Sequence, residues 1–335
     1  MCPVSQATTV RRPGIATFVT GSDRVVKTLK YVTLLIAAAV VAMLGFASWT
    51  LLPVLNDPVP GFAERRGEIA RIDETAYYEL ADSSLTEITL TSTSGLQVKL
   101  ALRRPHEPLE DSPVLVLIAG QETGRDAAMM FPTTHGVPVA ALSYLYQGSN
   151  EFSRLGIAAD LHKIQRAILD VAPAVMLAND FLLHHAQLDA ASLELVGVSF
   201  GAFLAAVPAA LDERISRLWL IHGSGEPAQV IDRGLEGKIW PRPLRGLIAN
   251  YLSAVAAAHY LTPERWVGKV APRPILVING NDDDDIPREA VLALHDSLED
   301  PHEIMWVDGG HIHPKRPETI SRVIDLMFSR IVARS

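Results

Sequence analysis

Residues 193–211 read LELVGVSFGAFLAAVPAAL. The first half is apolar apart from Glu194 and carries β-branched residues, as expected of a strand buried on both faces. The second half, from Phe203 to Leu211, is a helix-forming stretch. Gly197-Val198-Ser199-Phe200-Gly201 lies between them, so the serine falls on a strand-to-helix turn. A glycine two residues to either side lets strand and helix approach closely while the strained turn holds the hydroxyl out. The helix N-terminus just beyond it offers free amides and the positive end of a dipole to a developing oxyanion.

Outward from this segment the same alternation continues. Apolar runs at 114–119, 137–142, 218–221, 275–278 and 304–307 read as further buried strands. Helical patterns occupy 125–130, 160–185, 288–298 and 317–333. Upstream, 86–91 and 96–102 alternate around Ser94-Gly95 and read as a hairpin. A hairpin followed by repeated β-α units predicts an α/β fold: a mostly parallel sheet of about eight strands with helices on both faces. Residues 225–268 interrupt the rhythm, and their Trp240, Leu244, Leu247, Tyr251 and Trp266 suggest a helical cap inserted between two strands.

The N-terminal part is different in kind. Residues 31–52, YVTLLIAAAVVAMLGFASWTLL, carry no charge, and as a helix they would span roughly 33 Å, enough for a hydrocarbon core. Tyr31 and Trp49 lie near the two ends, where amphipathic rings favour the interface, and Pro53 stops the helix. The 335-residue chain has a net charge of −8, but residues 1–30 hold five basic side chains against Asp23 alone. That is +4 before the apolar stretch and −12 after residue 30. The positive-inside bias predicts a cytoplasmic arm (1–30), a transmembrane signal anchor (31–52), a connector (53–84), and a domain (85–335) on the extracytoplasmic side. A cleaved signal peptide is the alternative, although its leader of some 30 residues would be long. The acidic remainder argues against nucleic acid as a partner, and Cys2, the only cysteine, excludes a disulfide within the chain.

A serine hydroxyl needs a base, and the base an orienting carboxylate. After the 275–278 run comes NGNDDDDIP, with four candidate acids, Asp282 to Asp285. After the 304–307 run comes DGGHIHPKRPE, with His311 and His313. The order Ser, Asp, His separates this arrangement from the two other common triad folds.

On these motifs the chain from about residue 86 onward resembles the α/β-hydrolases, in particular serine esterases and the dienelactone-hydrolase branch. The family's G-x-x-D-x-x-V-P acid loop aligns with Gly280 to Pro287, with Ile286 for Val, which selects Asp283; its G-[GAS]-H loop selects His311. The resemblance implies a triad of Ser199, His311 and Asp283, and an oxyanion hole from the amides of Phe200 and Gln121. Gln121 stands in GQETGRD rather than in a His-Gly-Gly-Gly loop. His222, at the end of the 218–221 run, and Trp240 and Tyr251 of the cap are candidate pocket residues. The implied activity is a membrane-anchored serine hydrolase that cleaves a carboxylic ester or thioester through an acyl-enzyme, without cofactor or metal. Its partners would be a small ester or acyl substrate and the lipid bilayer. Alternatives are a peptidase or acyltransferase on the same fold, a non-catalytic binding protein, and metal-dependent hydrolysis using His311, His313 and the aspartate run.

Overall fold

A computed structural model of the protein describes residues 21–120, 123–146, 154–188 and 192–332, with side chains from 25 and 160 in the first and third of these. The described residues fall into two units, one ending at Leu52 and the other beginning at Pro53. The first is a single helix, α1 (Gly21–Leu51). It begins ten residues before the uncharged stretch because nothing in 21–30 breaks a helix. The segment Val25–Val54 is long and apolar enough to cross a membrane, a property that it shares with signal sequences.

The second unit contains, in chain order, α2 (Phe62–Arg66), β1 (Ile69–Glu79), β2 (Ser83–Ser92), β3 (Gln97–Pro105), β4 (Pro113–Ile118) and β5 (Val139–Leu142). Then come α3 (Arg154–Leu169), α4 (Val171–His184), β6 (Ser192–Val198), α5 (Phe200–Leu211) and β7 (Ile215–Ile221). Next are α6 (Pro227–Gly234), α7 (Arg242–Val255), α8 (Ala258–Leu261), β8 (Ile275–Gly280), α9 (Arg288–Asp296), β9 (His302–Val307) and α10 (Pro317–Val332). The strands form one sheet in the order β1-β2-β3-β5-β4-β6-β7-β8-β9. β1, β2, β3 and β5 pair antiparallel in that order, and every pair from β5 to β9 is parallel.

The sheet thus has nine strands rather than the eight expected. The extra one, β1, lies in the 53–84 stretch read as a polar connector, which also holds α2. β1 is an edge strand with no fully buried residue, so its sequence lacks the apolar alternation that marks a strand. Backbone pairing with β2 holds it, while Arg71, Asp73 and Glu74 discourage further pairing at its free side. The 160–185 pattern also differs: it breaks into α3 and α4 at Asp170, and the two axes meet at 45°. Pro173 cannot continue a helix begun upstream and fits only in a first turn. The Asp170 carboxylate takes two hydrogen bonds from Arg65 of α2, at 2.7 and 2.6 Å.

β4, β5 and β8 are buried along their whole length, which matches their apolar sequences, with Asn279 near the end of β8 the one polar side chain among them. α10 and a 3-10 helix (Gly124–Met129) cover one face, packing Val323, Ile324, Met327 and Phe328 on Leu117, Val196 and Trp219. α4 and α5 cover the other face. The 225–268 insertion is helical as expected, and Arg245 of α7 ties it to α6 by pairing with Asp232 at 2.9 Å.

Candidate active site

Ser199 stands at the C-terminal end of β6 with φ 55° and ψ −117°, a conformation uncommon for a side-chain-bearing residue. The two glycines explain how the turn closes. A Cβ on Gly201 would lie 1.9 Å from the Ile118 carbonyl oxygen of β4, and one on Gly197 would lie 2.7 Å from the Ala205 Cβ of α5. The Ser199 amide donates to the Ile221 carbonyl of β7 at 2.8 Å, which pins the strained residue to the neighbouring strand.

Parallel strands bring their C-terminal ends to one edge, and loops after β6, β8 and β9 meet there. The Ser199 hydroxyl donates to His311 Nε2 at 2.7 Å, and His311 Nδ1 donates to Asp283 Oδ2 at 2.7 Å. Asp283 is therefore the one acid of the 282–285 run turned inward; Asp282, Asp284 and Asp285 are exposed. Its Oδ1 accepts from the amides of Asp285 and Ile286 at 3.1 and 3.3 Å.

A fourth group completes the cluster. His222, wholly buried one residue beyond β7, donates from Nδ1 to the same Asp283 Oδ2 at 3.0 Å. The sequence reading placed His222 only as a pocket residue. Its pairing arises because β7 and β8 run in register from Leu218↔Ile275 to Ile221↔Ile278, which sets the residue after β7 beside the loop after β8. A histidine at the end of a strand adjacent to the acid's strand is the signal that could have found it. The His222 and His311 rings meet edge to face, 5.3 Å apart.

Electrostatics follow from these contacts. Burial alone would raise the Asp283 carboxyl, but the hydrogen bonds from His222 and His311 hold it well below the usual carboxylate range. Burial lowers His222, despite the opposing bond to Asp283, so it stays neutral near pH 7 with its proton on Nδ1. An ionised Asp283 accepts from both rings, which leaves His311 Nε2 as the lone-pair nitrogen facing Ser199.

These relations give the first measurable consequence. Replacing His222 with alanine removes a donor to a buried carboxylate, at a cost of about 2 kcal/mol near pH 7. A carboxyl depressed in the fold stabilises it above the unfolded-state value of about 3.9, and that stability is lost as pH falls through the folded value. With one donor fewer the folded value rises toward the unfolded one, so the loss, which begins in both proteins as the unfolded-state carboxyl protonates, is smaller in His222→Ala, and the stability gap between the two proteins narrows toward pH 3. Urea unfolding from pH 7 to pH 3 checks this; coincident wild-type and variant curves would refute it.

The loop after β4 borders the serine, with Gly120 close enough that a Cβ would touch the Ser199 Cβ at 3.9 Å. Tyr144 fixes this loop by donating its hydroxyl to the Ala119 carbonyl, and its ring lies 5.7 Å from that of Phe200. The Phe200 amide is in the first turn of α5, where N–H groups lack intrahelical partners. Gln121, the expected second donor, and Glu122 lie outside the described residues. Arg125 pairs with Glu87 of β2 at 3.0 Å.

Two cavities open beside Ser199 and His311. One, of about 250 Å³, runs between the sheet and α10. The other, of about 260 Å³, lies beneath the cap against Phe200, Phe203, His222, Val230 and Ile231. Of the three pocket candidates only His222 lines a cavity at the serine. Trp240 is 88% exposed and, like Tyr251, lines neither of the two. Cap helix α7 turns Leu244 and Leu247 outward as well, so the apolar content of the cap divides between the cavity roof and its outer surface. Among the described residues, His222, Asp283 and His311 form the one cluster with metal-ligand spacing, their ligating atoms within 4.8 Å of one another. Asp283 Oδ2 in that cluster is already shared by two ring N–H groups. His313 instead accepts from the Lys315 amide at 3.1 Å.

The sequence matches no family model and no curated protein. Solved structures do match. An acetyl xylan esterase from Paenibacillus sp. R4 is 17% identical, covering 81% of this chain and 92% of its own, with a TM-score of 0.54. A cold-adapted esterase from an Arctic intertidal metagenomic library is 16% identical, covering 77% and 99%, with a TM-score of 0.53. The α/β hydrolase GrgF from Penicillium sp. sh18 is 15% identical, covering 74% and 99%, with a TM-score of 0.51. With its order of strands and its serine on the turn after β6, the chain has the α/β-hydrolase fold.

Proposed function

We propose that the protein is a membrane-anchored serine hydrolase that cleaves a carboxylic ester or thioester. The observation that carries the reading is the continuous relay from Ser199 Oγ to His311 Nε2 and from His311 Nδ1 to Asp283 Oδ2, each link 2.7 Å. Two of the solved structures of like fold are described as esterases, which supports ester cleavage over other uses of the fold.

In this reading His311 takes the Ser199 proton as Oγ attacks the substrate carbonyl carbon. The carbonyl oxygen becomes an oxyanion beside the Phe200 amide, with a second donor from the loop after β4, where Gln121 lies. His311 then gives its proton to the leaving oxygen or sulfur, and the acyl group remains on Ser199. Water, deprotonated by His311, attacks the acyl-enzyme and releases the acid, returning the proton to Ser199. Asp283 keeps the His311 ring in the required tautomer throughout. A fluorophosphonate, which reacts with activated serines, tests the proposal. Labelling at Ser199 is the expected result, and folded protein that resists the reagent would refute it.

The membrane part rests on α1 and the charges around it. Lys27 and Lys30 precede the uncharged stretch while Asp57 and Glu64 follow, so the anchor would leave the N-terminus cytoplasmic and the hydrolase domain on the extracytoplasmic side. The full chain is expected in the membrane pellet after an alkaline carbonate wash, with the hydrolase domain open to external protease in spheroplasts. Release of the full chain by the wash would overturn the anchor, and protection from protease would overturn the orientation.

A further inference from the structure

The cavity under α10 has a lining that does not suit a void. Leu117, Ala127, Val196, Ile221, Val323 and Met327 face it, all of them buried core residues. Methyl and methylene groups around an empty space forgo the contacts that close packing gives them elsewhere in a core. The mouth of the cavity is formed by Ser199, His311 and Gly120, which are the nucleophile, its base and the loop beside the oxyanion. The cavity beneath the cap is bounded by part-exposed side chains, among them Pro227, Val230, Ile231 and Ala256, and by exposed Asp285.

An ester has two arms, and the steps of the reaction ask different things of each. The leaving arm must depart, and water must then reach His311. The acyl arm stays fixed to Ser199 until the second step. A pocket running into the core holds a chain without releasing it, whereas a cavity under a surface cap gives a route out. Size bounds the chain: an apolar cavity of about 150 Å³ accommodates benzene, six carbons, so 250 Å³ accommodates about ten.

Resting on the serine-hydrolase reading above, we infer that the cavity under α10 is the acyl pocket, and that the substrate is an ester or thioester of a medium-chain fatty acid, with about six to ten carbons. The leaving group lies beneath the cap. The two apolar cavities thus divide the substrate at the scissile carbonyl.

A series of 4-nitrophenyl esters from acetate to palmitate tests the assignment in the full chain. The expected kcat/KM rises at least about tenfold from acetate to octanoate, as each buried methylene adds to binding, and falls again at palmitate. Ala127→Phe fills the cavity from the 3-10 helix and should lower the octanoate-to-acetate ratio at least about tenfold, whereas Met327→Ala enlarges it and should move the optimum to longer chains. A wild-type optimum at acetate, or an unchanged ratio in both folded variants, would overturn the inference. Octanoate binding to the Ser199→Ala protein, followed by calorimetry, reads the pocket without catalysis. Binding that weakens about tenfold on adding either Ala127→Phe or Met327→Ala supports it, and binding indifferent to both refutes it. Should the wild-type protein cleave no ester in the series and resist fluorophosphonate, the hydrolase reading fails, while the calorimetry still decides whether the cavity takes an acyl chain.

Discussion

Replacing Ser199 with alanine is expected to abolish fluorophosphonate labelling and to lower ester kcat/KM by at least about 10⁴-fold, with stability changed by no more than about 1 kcal/mol. In the proposed mechanism the large effect comes from removing the atom that would form the covalent bond, and the small one from the loss of a single hydrogen bond to His311. The turn itself persists, since alanine and serine meet the same obstacle at φ 55°. His311→Ala should cost about as much, and the Ser199→Ala/His311→Ala pair no more than either alone, because nucleophile and base act as one unit. Asp283→Asn has a different signature. An asparagine can turn its NH₂ group toward His311 and reverse the tautomer, presenting an N–H to the serine oxygen in place of a lone pair. It should therefore lower kcat sharply while leaving the nucleophile in place. Multiplicative losses across the Ser199/His311 pair would show two independent contributions and contradict the relay.

Much of this arrangement was legible in the sequence, for reasons that differ from residue to residue. The strands from β4 to β8 are buried on both faces or nearly so, and each therefore appears as a mostly apolar run with little competition from helix periodicity. Ser199 was legible because close approach of β6, α5 and β4 leaves room only for glycine at 197 and 201, a local constraint written in adjacent letters. Asp283 was selected from its run only by resemblance to the family loop. The residues alone offered four carboxylates, and the choice among them depends on how the 281–287 loop folds back toward β9.

What escaped the sequence is non-local. β1 is held by backbone pairing at an edge and needs no apolar pattern. The bond from His222 to Asp283 joins residues 61 positions apart and exists only through the β7–β8 register. The cavity under α10 is built from leucine, valine, isoleucine and methionine, the same letters that fill a core. Sequence periodicity assigns them a face but cannot say that they stop short of one another. Trp240 shows the converse error, since a large aromatic in an insertion reads as buried yet stands in solvent.

Gly201→Ala should be among the most damaging single-methyl additions to this protein, destabilising it by more than about 3 kcal/mol. Helix propensity argues the other way: an alanine within a helix is favoured over glycine by roughly 1 kcal/mol. Sterics decide the sign. The new methyl carbon would lie 1.9 Å from the Ile118 carbonyl oxygen, 2.7 Å from the Ile118 carbonyl carbon and 2.9 Å from the Ala119 oxygen. All three are backbone atoms at the end of β4, so no rotamer change relieves the clash. Either α5 moves off the sheet or the end of β4 moves away. The first displaces Phe200 and its amide, the second displaces Gly120 and the loop beside the oxyanion, so activity should fall with stability. Gly246→Ala supplies the control, since the nearest atom to its added methyl is Asp232 Oδ1 at 4.0 Å. In α7 the same substitution should raise stability by up to about 1 kcal/mol. Urea midpoints compared at equal m-value measure both changes. A Gly201→Ala protein as stable as the wild type would mean that β4 and α5 do not approach as closely as this turn requires, and with that the placement of Ser199 beside the Gly120 loop would fall.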